Sequence, residues 1–137
     1  MTVQPYLVFD VRAEEAAAFY ETAIGAQIQM LMRYKDSPLA PPVDMMPPGW
    51  NAKVMHMALK IGDSIVFGSD GDGAESGGFK GFSLSYGAKT PEEAERVFAA
   101  LADGGETQMR LTKTFFSPAF GILTDRFGVP WMVVVPQ

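Results

Sequence analysis

The side chains that could carry chemistry are few. His56 is the one imidazole in 137 residues, and there is no cysteine. That removes thiolate nucleophiles, disulfides and cysteine-held metals. A Ser-His-Asp triad would have to be built on His56, and no Gly-x-Ser-x-Gly turn is present to display its serine. A single histidine is not a metal site, because a divalent ion needs three or four converging donors. The residues around His56 alternate as a strand does: Met55, Met57, Leu59 and Ile61 fall on one side, Val54, His56, Ala58 and Lys60 on the other. The first set suits a helix-covered core. His56 then faces away from it, as a polar anchor or an acid/base titrating near neutrality, or as an ordinary hydrogen-bonded histidine. The pairs Glu14-Glu15 and Glu92-Glu93 open helices, where they complement the dipole as solvated charges. Asp70 and Asp72 imitate a calcium loop, but Ala74 takes the next ligand position and no bidentate Glu follows at the required distance. The stretch 70–78 therefore reads as a flexible connector.

The elements that must position these residues occur twice. Glu14-Glu15-Ala16, Phe19-Tyr20, Gly25 and Gln29-Met30 are echoed by Glu92-Glu93-Ala94, Val97-Phe98, Gly104-Gly105 and Gln108-Met109. Ala16, Phe19, Tyr20, Ala23 and Ile24 share one helical face, as do Ala94, Val97, Phe98, Leu101 and Ala102. A repeated unit that cannot bury its own apolar face packs on its twin. Strands are expected at 6–11, 26–34, 53–61 and 64–69, with helix 13–24 ended by Gly25 and a tight turn at Gly62-Asp63. The second copy has strands at 82–86, 106–112, 120–125 and 131–135. Its helix starts at Thr90-Pro91-Glu92-Glu93, a capping box with proline in the first turn, and ends near Gly104. Each half reads strand–helix–strand–strand–strand. The 6–11 strand is apolar almost throughout, as if covered on both faces. Prolines 38, 41, 42, 47 and 48 make 35–52 a loop. It carries Met45, Met46 and Trp50, which either fold over a pocket or patch the core edge. Phe115 and Phe116 sit on a turn with an exposed look.

Composition bounds the function. The length is that of one domain, 1–137, with modules at about 4–70 and 80–136. Lys+Arg 11 against Asp+Glu 16 gives a net charge of −5, and no basic cluster exists to neutralise phosphates, so neither nucleic acid nor an anionic membrane is the expected partner. No leader-like or membrane-spanning apolar run is present, and the expected location is the cytoplasm.

Two βαβββ units in a short chain resemble the vicinal oxygen chelate (glyoxalase/bleomycin-resistance) superfamily. Within it the chain resembles the PhnB-like branch, also labelled 3-demethylubiquinone methyltransferase-like. The resemblance is carried by Pro5-Tyr6-Leu7, Ala16 to Phe19-Tyr20, Val54-Met55-His56, Gly68-Ser69-Asp70, Gly81-Phe82-Ser83-Leu84-Ser85, and above all Phe120-Gly121 through Thr124-Asp125-Arg126-Phe127-Gly128-Val129-Pro130-Trp131-Met132-Val133. Where the family often has Trp after Thr-Phe, this chain has Phe116. The resemblance implies an α+β fold of two modules, with curved mixed sheets and helices outside, and a homodimer. Methyl transfer finds no support, since no separate nucleotide-binding sheet with a Gly-rich turn is encoded. The superfamily's divalent ion is held at four positions. By register these fall on Pro5, on Phe67 or Ser69, on Ser83 and on Met132, none a suitable donor for a hard ion. No metal or other cofactor is therefore expected.

By strand parity the pocket wall is Leu7, Phe9, His56, Phe67, Ser69, Ser83, Ser85 and Met132, capped by Trp50 and Phe116. Tyr6, Val8, Phe82, Leu84, Tyr86, Trp131, Val133 and Val135 would back the helices. That is an apolar slot with a few hydroxyls, suited to a small molecule. The expectation is a metal-free small-molecule binder without assignable catalysis. The alternatives are a metal-dependent lyase, isomerase or dioxygenase with a site relocated to His56, or an antibiotic-sequestering protein.

Overall fold

The computed structural model describes residues 1–38, 48–71 and 77–137. The chain divides into two compact units, Met1–Gly77 and Gly78–Gln137. The first holds β1 (Tyr6–Val8), α1 (Ala13–Ile24), β2 (Gln27–Arg33), β3 (Val54–Ile61) and β4 (Ser64–Ser69). The second holds β5 (Leu84–Gly87), α2 (Pro91–Ala102), β6 (Glu106–Thr112), β7 (Phe120–Thr124) and β8 (Pro130–Val134). Each makes a four-stranded mixed sheet of one pattern, β1-β4-β3-β2 and β5-β8-β7-β6. In each the helix crosses from one edge of the sheet to the other, α1 from β1 to β2 and α2 from β5 to β6, and the parallel pair is β1 with β4 or β5 with β8. The duplication read from the glycines and helical faces is thus present as topology.

Helix α1 buries Ala13, Ala16, Ala17 and Tyr20, and stops where Gly25 turns left-handed at φ 69°, a conformation glycine adopts without penalty. Helix α2 buries Ala94, Val97 and Leu101. Its Thr90 hydroxyl accepts from the Glu93 N–H at 3.1 Å. The Glu93 carboxylate reaches back to the Lys89 N–H rather than to the cap residue itself, and also accepts from the Tyr86 hydroxyl. Burial, and then that acceptor, raise the Tyr86 pKa.

Helix α1 has no such cap. Arg12 precedes it without a capping side chain, and the chain enters through Asp10 and Val11, both at positive φ (49° and 71°). This left-handed pair cuts the first strand to three residues, so the expected strand to residue 11 ends at Val8. The helix start is served instead from 57 residues away: Asp70 Oδ1 accepts from the Ala13 N–H at 2.8 Å. Its Oδ2 accepts from the Val54 N–H at 2.8 Å, while the Asp70 N–H donates to the Val54 carbonyl. Asp70 is buried, so the reading of 70–78 as a mere connector fails at its first residue. Residues 72–76 lie outside the described residues, as do Met45 and Met46.

Arg33 adds a tie between β2 and α1, donating to both carboxylate oxygens of Glu14 at 3.1 and 2.7 Å. That hydrogen bond, more than the charge alone, lowers the Glu14 pKa. The contribution is therefore present above the ordinary glutamate range and lost as pH falls through the lowered value. On this exposed surface it is small.

Asp70→Asn puts an amide N–H against one of two backbone donors, and should cost about 3 kcal/mol. Thr90→Ala should cost about 1 kcal/mol. Urea unfolding midpoints of the two variants check the order; equal losses would refute the central place of Asp70.

Candidate functional site

In the first unit the face of the sheet opposite α1 carries a three-ring cluster. Tyr6 (β1), Phe67 (β4) and His56 (β3) lie together: His56 to Phe67 5.3 Å between ring centroids, His56 to Tyr6 5.6 Å, Tyr6 to Phe67 6.4 Å. The rings are tilted by only 30–37°, within the offset-stacked range of favourable aromatic contact. Sheet register explains the meeting, since Tyr6 pairs with Phe67, and Phe67 with Ala58, two residues along from His56. Met32 pairs with His56 and Met30 with Ala58, so thioethers border the rings. Tyr6 is 49% exposed and its hydroxyl donates to the Met55 carbonyl at 3.4 Å. His56 Nδ1 is 3.5 Å from the same hydroxyl.

The expected wall is corrected on β1. Leu7 and Phe9 are 3% and 5% exposed, and the Phe9 ring meets Tyr20 of α1 at 6.4 Å. They belong to the helix side, and Tyr6 to the open side. A run of four apolar residues has no polar alternation to reveal its parity, which is why the sequence misled. Gly68 makes the helix-side packing possible: a Cβ there would lie 2.8 Å from Met57 Cε and 3.0 Å from Phe9 Cε2. Ser69 is buried, its hydroxyl accepting from the Gly71 N–H. Trp50 is buried with its indole N–H donating to the Gly71 carbonyl, which also accepts from Tyr34. It is anchored by that bond and has no ring contact in the cluster.

In the second unit Ser85 and Met132 are register partners, and Ile122 pairs with Met132. Trp131, Val133 and Val135 are buried, as parity predicts, and Tyr86 reaches α2. Ser83 is exposed just before β5. Phe82 is corrected: it is 40% exposed and meets Phe79 rather than backing the helix. Phe116 stacks edge-on against Phe120 at 5.1 Å, and Phe115 against Phe116 at 5.2 Å. The turn that carries them is held by side-chain hydrogen bonds. Thr114 Oγ1 accepts from the N–H groups of Phe116 and Ser117. The fully buried Ser117 hydroxyl lies 2.8 Å from the carbonyls of both Ala119 and Val135 and accepts from both their N–H groups. Sequence reasoning missed Ser117 and Tyr6; Ser117-Pro118 closing an aromatic turn was the one available signal.

Among the described residues no three His, Asp or Glu side chains come together as metal ligands. Pro5 offers no side-chain donor, Phe67 is committed to the ring cluster, Ser69 to Gly71, and Ser83 and Met132 offer only a hydroxyl and a thioether. The donor set does not fit a hard divalent ion.

The fold is that of the vicinal oxygen chelate class: a glyoxalase/bleomycin resistance protein/dioxygenase domain from Frankia sp. superposes with TM-score 0.68 at 11% identity, covering 100% of this chain and 98% of that one. The chain belongs to the PhnB-like family described as 3-demethylubiquinone-9 3-methyltransferase, whose profile matches residues 1–134. It is similar to Protein YjdN of Escherichia coli K12, 30% identical over 98% of this chain and 95% of that protein. Protein PA1353 of Pseudomonas aeruginosa is 38% identical with TM-score 0.87 over 100% and 98% of the two chains. The PhnB protein of Bacillus cereus is 28% identical with TM-score 0.81 over 98% and 99%. Among the described residues no helix is long and apolar enough to cross a membrane.

Zinc, nickel, manganese and ferrous ions, each added in modest excess, should leave the thermal midpoint within about one degree. A site held at a hundred times its dissociation constant would add about 2.7 kcal/mol, several degrees in a chain of this size. A stoichiometric shift of that size with any one ion would refute the donor argument.

Proposed function

We propose that this protein binds a small apolar or amphipathic molecule on the open face of its first sheet, without a divalent ion. The observation that supports it is the Tyr6–His56–Phe67 cluster, a partly exposed set of π-faces carrying an imidazole and a phenol hydroxyl, with methionines 30 and 32 alongside. Apolar faces with a few hydrogen-bonding groups are what a small-molecule site offers. Methionine adapts to varied ligand shapes. Leu7 and Phe9 take no part. Ser83, Ser85, Met132 and Phe116 belong to the second unit and are not needed for this reading. The methyl transfer in the family's description has no support here: each sheet has four strands with a single parallel pair, not a doubly wound nucleotide-binding sheet.

The protein works as a homodimer, and the support for that is Phe115. It is 96% exposed on a turn held by Thr114 and Ser117, an anchor that a second copy would cover.

Nile red, a neutral apolar dye, should bind with enhanced fluorescence, and Tyr6→Ala should weaken it roughly three- to tenfold, the worth of one lost aromatic contact. Unchanged affinity in Tyr6→Ala rejects this face as the site. Phe115→Asp should shift the sedimentation coefficient from dimer to monomer while stability changes by less than about 0.5 kcal/mol. A natural chain that sediments as a monomer rejects the dimer.

A further inference from the structure

The geometry points to a ligand that donates a hydrogen bond from a neutral planar ring, a ring hydroxyl or ring N–H, to Nε2 of His56. This rests on the reading of the Tyr6–His56–Phe67 face as the binding site, and adds the chemistry of what binds there.

One proton decides which imidazole nitrogen can accept. A tyrosine hydroxyl has a single hydrogen to give. That of Tyr6 is directed at the Met55 carbonyl, 3.4 Å away, an oxygen that can only accept. The nitrogen facing the same hydroxyl, His56 Nδ1 at 3.5 Å, then meets a lone pair rather than a proton. Its own complementary role is donor. A neutral imidazole carries one N–H, and the hydrogen bond at one nitrogen sets the state of the other. With the proton on Nδ1, Nε2 keeps its lone pair. Among the described residues no group bonds to Nε2, and His56 is only partly buried. The unit therefore presents an unused acceptor on an imidazole that neighbours the rings of Phe67 and Tyr6. Both bonds are long and open to water, so the bias they impose on the imidazole is modest, and measurable.

Three classes of ligand are separated by this arrangement. A carboxylate or a dianionic phosphate monoester has only lone pairs to set against the lone pair of Nε2. A plain hydrocarbon ring stacks but leaves the acceptor unmet. A ring that also carries O–H or N–H satisfies both, and gains what one hydrogen bond contributes, roughly three- to tenfold in affinity.

The untagged full chain has one imidazole, so long-range proton–nitrogen NMR reads its tautomer without assignment. At pH 8.5, where imidazole is mostly neutral, the Nδ1–H form should predominate. Tyr6→Phe, which keeps the ring and removes the acceptor, should move the population toward Nε2–H. An Nε2–H majority in the natural chain, or no change in Tyr6→Phe, overturns the inference. Phenol, anisole and benzoate are then titrated while following the signals of Tyr6, His56 and Phe67. Phenol should bind three- to tenfold more tightly than anisole, and benzoate most weakly. Anisole equal to phenol, or benzoate tightest, overturns the donor requirement while leaving the face as a binding site. No response at these residues to any of the three removes both.

Discussion

Asp70 closes the first unit. Its carboxylate takes the first N–H of α1 with one oxygen and the first N–H of β3 with the other, each at 2.8 Å, while its own N–H continues the β3–β4 ladder to the Val54 carbonyl. A negative charge here meets the positive end of a helix and two strong donors. The open face opposite depends on that closure. Tyr6 lies on the strand that runs parallel to β4, His56 on the strand that begins at Val54, and the distance between them follows from how those strands are held.

The second unit has the same topology and a different fastening. Asp125 is buried too, but its carboxylate accepts from Phe127, Val129 and the indole of Trp131, all within its own hairpin. Its helix is capped by Thr90 from the adjacent residue. Two copies of one supersecondary plan thus reach equal topologies through unlike polar contacts. The same divergence applies to the donors the wider class would use: a strand can keep its register while proline, phenylalanine, serine or methionine stands where a ligand is needed. Topology follows from apolar pattern and turn geometry; chemistry depends on a few side chains that the fold does not require.

What could be read in advance divides along the same line. Helix 13–24, the Gly25 stop, the Thr90 cap, the Gly62-Asp63 turn and the buried Trp131–Val133–Val135 set were legible, because each rests on a periodicity or a short-range stereochemical preference. The facing of β1 was not, because Tyr6-Leu7-Val8-Phe9 is apolar at every position and only contact with α1 decides it. Tyr6 was consequently placed on the helix side and Leu7 and Phe9 on the other, the reverse of the faces they take. Asp70 was misread because its two partners lie 57 and 16 residues away. His56 and Phe67 were placed on the right face, since Met57 and Leu59 give β3 a clear buried side.

The two helices also differ in what must happen before each can start. The cap of α2 is supplied by Thr90, three residues from the N–H it serves, so its first turn can close as soon as that segment is made. The cap of α1 must wait for a loop of more than fifty residues to close and for the end of β4 to arrive, a costly search in chain entropy. One half of the repeat caps its helix from its own neighbourhood, whereas the other gains that cap only as its sheet closes. Two halves of one topology thus differ in how far along the chain the contact that starts each helix must reach.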